Sequence, residues 1–250
     1  MKLDLHTHYY SEEFFEFITT LSDEFSFATG KGGTRLIKYR GTRFFSVQPP
    51  MTNPALRIEA MDRVGVDVQV ISLSTPNVYF ASAEDQFRVA TRLNDTYAEL
   101  IATHPARFKG FASIPMFDPD AALKELERVL DDLKLNGVIL LSNLAGKDLT
   151  DPLFRPFFEE ANQRELCIFI HPMLPSSPEP FAEYCLGPII GFPADTTLCV
   201  AKLCYSGLLR ELPKIRWIVG HAGGAIPWLM ERLDNGYRDF AECQENIDEL

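Results

Sequence analysis

Positive charge is in short supply in this chain. Its 250 residues carry 24 lysines and arginines against 35 aspartates and glutamates, a formal net charge of −11. That balance leaves no basic footprint for nucleic acid and no cationic patch for an anionic membrane surface. Long hydrophobic runs are missing too: none reaches the ~18 residues of a membrane span. The N-terminus has no charged segment leading into an apolar one, as a secretory signal would. Cysteine is scarce. The five present, Cys167, Cys185, Cys199, Cys204 and Cys243, form no CxxC pair and are odd in number. A disulfide framework is therefore not expected, and a reduced, cytoplasmic protein is. Histidine is equally scarce, five in all, so the places where they fall carry information.

What remains is ordinary soluble material, 46% hydrophobic and 24% charged, of a length that suits a single large α/β domain. Short runs rich in Val, Ile and Phe, bounded by Gly, Pro or Asn, read as buried strands at 3–8, 66–73, 108–115, 136–141, 166–172 and 215–223. Helices fall between them. Asn53-Pro54, Asp118-Pro119 and Asp151-Pro152 each place a capping side chain before a proline suited to a first helical turn. The first of these helices stops at Gly65, and the second sets Leu123, Leu126, Val129, Leu130 and Leu133 on one face. Strands alternating with helices imply a parallel sheet covered by helices.

Residues 9–52 interrupt the rhythm, because they are far too many for an ordinary strand-to-helix loop. SEEFFEFITTLSDEF is amphipathic, and RLIKYRGTRFFSV suits a hairpin turning at Arg40-Gly41. Long insertions after a strand sit over the active-site face in such folds, so a lid or rim is expected here, with a decorative insertion as the other reading.

The first strand, LDLHTH, ends in two histidines spaced by one residue. Alternate residues of a strand share a face, so His6 and His8 point the same way, with Asp4 below them. Two readings fit the pair by itself: joint metal ligation, or two imidazoles satisfied by hydrogen bonds in a barrel mouth. His171 ends the strand LCIFIHP and His221 ends IRWIVGHAG. Four of five histidines thus fall at the C-terminal ends of three expected parallel strands, where catalytic groups gather. Catalytic zinc takes three protein ligands and keeps a place for water. His6, His8 and His171 supply three, which leaves His221 as a nearby base. His104, at a helix end before a proline, reads as structural.

DLHTH, LRIEAMDRVGVDVQVIS, IFIHP and the long block from FPADTT through GHAGGAIPWLMERL resemble the amidohydrolase-related family, in its aminocarboxymuconate semialdehyde decarboxylase branch. The resemblance runs from Met1 to about Arg238. It implies a (β/α)8 TIM barrel with a divalent metal at its mouth, zinc foremost or manganese. It implies that His6, His8 and His171 are ligands and that His221 is the catalytic histidine beside metal-bound water. It also implies a substrate carboxylate held by arginines. Arg232 matches an arginine presented across a dimer interface, so a homodimer is expected. Phe45 occupies the position of the other, and Arg43, two residues away, is the expected substitute.

The family's metal-binding aspartate, in a GTDYP-like segment, has no counterpart, and about six strand-helix units are counted in residues 1–250. A single barrel domain incomplete at its C-terminus is therefore expected. The activity implied is non-oxidative decarboxylation of a small unsaturated or aromatic carboxylic acid. A metal-dependent hydrolase or hydratase on the same scaffold is the alternative, and a truncated, non-catalytic barrel the third.

Overall fold

Leucines and polar residues alternate from Leu3, and they form the first strand, β1 (Leu3–His8). The computed structural model describes residues 1–30, 34–177 and 179–247. Two compact units divide the chain, Met1–Ile139 and Leu140–Leu250.

In the first unit, β1 leads into α1 (Glu12–Thr20), which Ser11 opens by accepting the Phe14 N–H at 3.2 Å and which buries Phe14, Phe15 and Ile18. An antiparallel sheet follows, made of β2 (Phe25–Thr29), β3 (Arg35–Tyr39) and β4 (Thr42–Val47). The hairpin expected at Arg40-Gly41 is present. Both residues have positive φ, 47° and 79°, as a tight two-residue hairpin turn requires. The strand β2 was not legible in the sequence. Helix α2 (Pro54–Val64) starts where Asn53 Oδ1 accepts from the Ala55 and Leu56 N–H groups and closes at Gly65. Then come β5 (Val68–Ser72), α3 (Ala83–Thr103), β6 (Phe108–Ala112), α4 (Pro119–Glu127) and β7 (Gly137–Leu141). The pairs β1–β5, β5–β6 and β6–β7 are parallel. Strand β6 ends three residues earlier than its apolar run, because the Asn94 side chain takes over the Ser113 N–H at 2.9 Å.

Of the apolar face expected on α4, Leu126 and Val129 are fully buried, the latter in a π-helical turn over Arg128–Asp132. Beside them lies Glu125, also fully buried, which accepts from Asn94 Nδ2 at 2.7 Å and from Arg128 Nη2 at 2.8 Å. Arg128 keeps a second partner in Asp95, at 2.6 Å. Glu125→Ala is therefore expected to cost about 2–4 kcal/mol, between a lost charged hydrogen bond and a broken buried ion pair. Urea unfolding measures it, and an unchanged midpoint would contradict the assignment.

The second unit takes the end of β7 and continues with a short hairpin, β8 (Asn143–Leu144) and β9 (Lys147–Asp148). After a 3-10 turn capped by Asp151 come α5 (Arg155–Gln163) and β10 (Cys167–His171). Next are α6 (Phe192–Tyr205), the single-turn α7 (Leu208–Glu211), β11 (Arg216–Val219) and α8 (Ile226–Asp239). Strands β10 and β11 are parallel. Phe154, Phe157, Phe158, Phe169 and Leu203 form the core of this unit. The helical stretch Glu183–Tyr205 is long and apolar enough, by length and composition, to cross a membrane. It is not an unbroken apolar run, since it carries Pro193, Asp195 and two threonines, and Asp195 is buried and hydrogen-bonded within this unit. All five cysteines are free thiols.

The main sheet has six strands, in the order β1-β5-β6-β7-β10-β11. The fold class is α/β, as the alternation in the sequence implies.

Candidate active site

In the first unit, the end of β1 is irregular. Asp4 pairs with Gln69 and Thr7 with Ile71, so β1 carries one residue more than β5 between these points. His6 lies within the shifted stretch and His8 just past it, and their rings are 5.1 Å apart, edge to face. Asp4 turns to the backbone instead. Its Oδ1 accepts the His6 N–H at 3.1 Å and its Oδ2 accepts from Gln69 Nε2 at 3.0 Å.

The tautomer of His8 follows from its neighbours. Ser72 Oγ donates its one hydrogen to the Thr7 carbonyl at 3.1 Å and lies 3.2 Å from His8 Nδ1. A hydroxyl has a single proton to give, so at this contact Nδ1–H donates and Nε2 is the ring's basic nitrogen. In the second unit, His171 ends β10 and is 3% exposed. Its Nδ1 lies 2.9 Å from the Pro172 carbonyl, an acceptor only. Nδ1 is therefore protonated here as well, and Nε2 is again the basic nitrogen. Ligating histidines characteristically donate their other N–H in this way, so both rings fit a divalent metal.

The backbone around His171 is fixed from α6. The Ser142 N–H donates to the His171 carbonyl at 2.8 Å, and Ser142 Oγ accepts the Met173 N–H at 2.9 Å. The same hydroxyl donates to Asp195, which also accepts from Asn143 Nδ2 at 2.9 Å. Burial raises the pKa of the Asp195 carboxyl, with the Ser142 and Asn143 hydrogen bonds opposing it. Asp195 is thus a support for β10, carried by α6.

His221 follows β11 with its ring 5.9 Å from that of His171. The residue and its neighbour Ala222 sit at φ 50° and 54°, a left-handed conformation that costs non-glycine residues about 1–3 kcal/mol and clusters at functional sites. Gly224 closes the turn against α6. A Cβ there would meet the Pro193 carbonyl oxygen at 2.5 Å, and the next N–H, of Ala225, donates to Thr197 Oγ1 at 2.8 Å. The residue is exposed, yet partial burial of its ring lowers its pKa. The imidazole is neutral at neutral pH, as a proton acceptor must be.

The arginines stand differently. Arg43 is exposed on β4 and donates to Ser46 Oγ at 2.8 Å. A register shift pairs Ile37 with Phe45 but Lys38 with Arg43, so the two-residue spacing does not keep Arg43 on the side of Phe45. Phe45 stacks on Tyr10, with ring centroids 5.3 Å apart. Arg232 lies on the exposed surface of α8. His104 caps α3, its N–H bonded to the Leu100 and Ile101 carbonyls, in the structural role expected. Ser72 and Ser142 support the histidines and were not legible in the sequence, since their partners lie far along the chain.

Residues 3–245 match the amidohydrolase family. The chain belongs to that family. This amidohydrolase is 30% identical to 2-amino-3-carboxymuconate-6-semialdehyde decarboxylase of Dictyostelium discoideum, over 95% of the chain and 67% of that protein. The crystal structure of 5-carboxyvanillate decarboxylase from Sphingomonas paucimobilis resembles it with a TM-score of 0.80 at 26% identity, covering 95% of this chain and 72% of that one. A dihydroxybenzoic acid decarboxylase from Polaromonas sp. JS666, solved with bound manganese and the inhibitor 2-nitroresorcinol, has a TM-score of 0.70 at 26% identity. It matches over 92% of this chain and 68% of its own. The family read from DLHTH and the FPADTT block is borne out, and with it the kinship to amidohydrolase-type TIM barrels.

Proposed function

We propose that this amidohydrolase is a metal-dependent, non-oxidative carboxy-lyase acting on a small aromatic or unsaturated carboxylic acid. The observation that carries the reading is the presentation of imidazole nitrogens at strand ends, with Nδ1 engaged and Nε2 basic at both His8 and His171. His6, His8 and His171 are the proposed metal ligands, each offering one ring nitrogen. Three nitrogen donors suit zinc, the ion proposed, and manganese, present in the Polaromonas relative, is the alternative. When bound, a divalent ion supplies positive charge that draws in the substrate carboxylate and a neighbouring oxygen.

His221 has the role of moving the proton. A neutral imidazole takes a proton from solvent or substrate hydroxyl and delivers it to the carbon bearing the carboxylate. The C–C bond to the carboxylate then breaks, its electron pair returns to the conjugated system, and carbon dioxide leaves. Arg232, from the second copy in a homodimer, is the proposed carboxylate anchor, and the insertion at 9–52 is the proposed rim. Tyr10 and Phe45 offer stacked aromatic surface there. Free thiols fit the cytoplasm.

The test is carbon dioxide release from 2,6-dihydroxybenzoate, 5-carboxyvanillate and a carboxymuconate semialdehyde by the zinc- and manganese-loaded protein. In deuterated water the product should carry one deuteron at the former carboxylate position. Hydrolysis of amides or lactones with no carbon dioxide from any acid would overturn the reading in favour of a hydrolase.

A further inference from the structure

Arg57 is a buried cation with no part in the chemistry above. It lies on α2 and is 5% exposed. Its Nη1 donates to Thr7 Oγ1 and to Gln69 Oε1, the latter at 3.0 Å. Its Nη2 donates to the His8 carbonyl, its Nε donates to the Pro50 carbonyl at 2.9 Å, and its guanidinium carbon lies 5.9 Å from the centre of the Tyr9 ring. A helix packed on a sheet needs only apolar contacts at such a position, and a buried guanidinium is costly unless acceptors meet its N–H groups. Here the acceptors are specific. Two belong to Thr7 and His8, and a third, Gln69, passes the contact on to Asp4, which holds the His6 N–H. One planar fork therefore grips β1 directly at Thr7 and His8, where the ladder resumes after its extra residue, and reaches Asp4, before that residue, through Gln69.

We propose that Arg57 is a positioning residue that clamps the register shift in β1 and so holds His6 and His8 at the spacing from which both rings reach one divalent ion. The inference rests on the metal-dependent reading above and adds the residue that shapes two of its three donors. Lysine cannot replace it, because a single ammonium cannot reach acceptors spread over Thr7, His8, Gln69 and Pro50 together. The segment after β1 is held from α3 as well, where the Tyr97 hydroxyl donates to the Tyr9 carbonyl at 2.7 Å.

The experiment measures zinc dissociation constants by chelator competition on the full chain, alongside thermal melting in excess EDTA. Side-chain 15N NMR of the histidines in metal-free protein is recorded in parallel. Arg57→Lys and Thr7→Val are compared with wild type and with Thr7→Ser, which keeps the hydroxyl. Arg57→Lys should weaken zinc binding about ten- to hundredfold, the usual effect of removing a group that orients a ligand. Thr7→Val should weaken it in the same direction, and Thr7→Ser should restore it. The His8 resonances should shift from the Nδ1–H tautomer to a mixture in Arg57→Lys. Zinc affinity and His8 tautomer equal to wild type in both variants would overturn the clamp, as would affinity losses that merely track melting temperature across the set. Should Arg57→Lys not fold, the Thr7 pair decides alone. A wild-type protein that binds no zinc or manganese would overturn the metal reading and the clamp together, which separates that failure from indifferent variants of a metal-binding protein.

Discussion

His171→Asn is expected to abolish activity by abolishing metal binding. The wild-type protein should hold about one divalent ion per chain, in keeping with a single three-ligand site. The variant should retain only a small fraction of that by elemental analysis. Asparagine is chosen because its amide can still donate to the Pro172 carbonyl, 2.9 Å from the native Nδ1, so the local backbone keeps its partner while the Nε2 lone pair is lost. His171 packs between Phe169 and Phe192, at centroid distances of 6.1 and 6.4 Å, and alanine would add a cavity to the missing ligand. Equal metal content in wild type and variant would remove His171 from the donor set. Carbon dioxide release should fall to background in step with the metal, and excess metal should restore little of it.

His221→Ala is expected to behave in the opposite sense: metal retained, turnover lost. Positioned acid–base groups contribute about 10²- to 10⁴-fold, so the rate should drop by that range at saturating substrate. Alanine at φ 50° keeps the left-handed cost of a non-glycine residue, and histidine is the more tolerant of the two there. Thermal melting of the variant beside the rate therefore separates lost chemistry from lost folding. The competing outcome is that His221, 5.9 Å from His171, completes the coordination sphere. Titrating metal into the variant distinguishes them, since recovery of rate with excess metal would make His221 a ligand and deny it the proton-transfer role.

Much of this was legible from residue order because the signals were local. Asn53 and Asp118 cap the helices their prolines announce, and Gly65 ends the first of them. Apolar runs mark the strands, whose C-terminal ends carry His6, His8 and His171. What escaped depends on contacts remote in sequence or on broken periodicity. The run IRWIVGHAG suggests a strand to 223, but β11 stops at Val219 and the glycine-rich turn begins, with positive φ from His221 to Gly224. Arg57 reads as an ordinary polar residue of an amphipathic helix, and only the fold reveals acceptors 49 and 50 positions upstream. Period-two reasoning assigns faces correctly only in regular strands. It therefore misjudged Arg43 relative to Phe45, where β4 has a register shift.

The shift in β1 bears on protein design. A designer copying HxH onto a regular strand of another barrel would reproduce the spacing in sequence and lose the geometry, because here one residue of the strand has no counterpart on β5 between Asp4–Gln69 and Thr7–Ile71. Parity counted from Leu3 would assign the downstream side chains to the wrong faces of the sheet. Transplanting the pair therefore means transplanting a module: the six residues of β1, the glutamine and serine opposite, and the arginine on α2. Single-residue deletion at Leu5 would leave the two histidines spaced by one residue but remove the extra residue relative to β5 and so move both imidazoles against their neighbours, so length is as much a functional constraint on this strand as composition is.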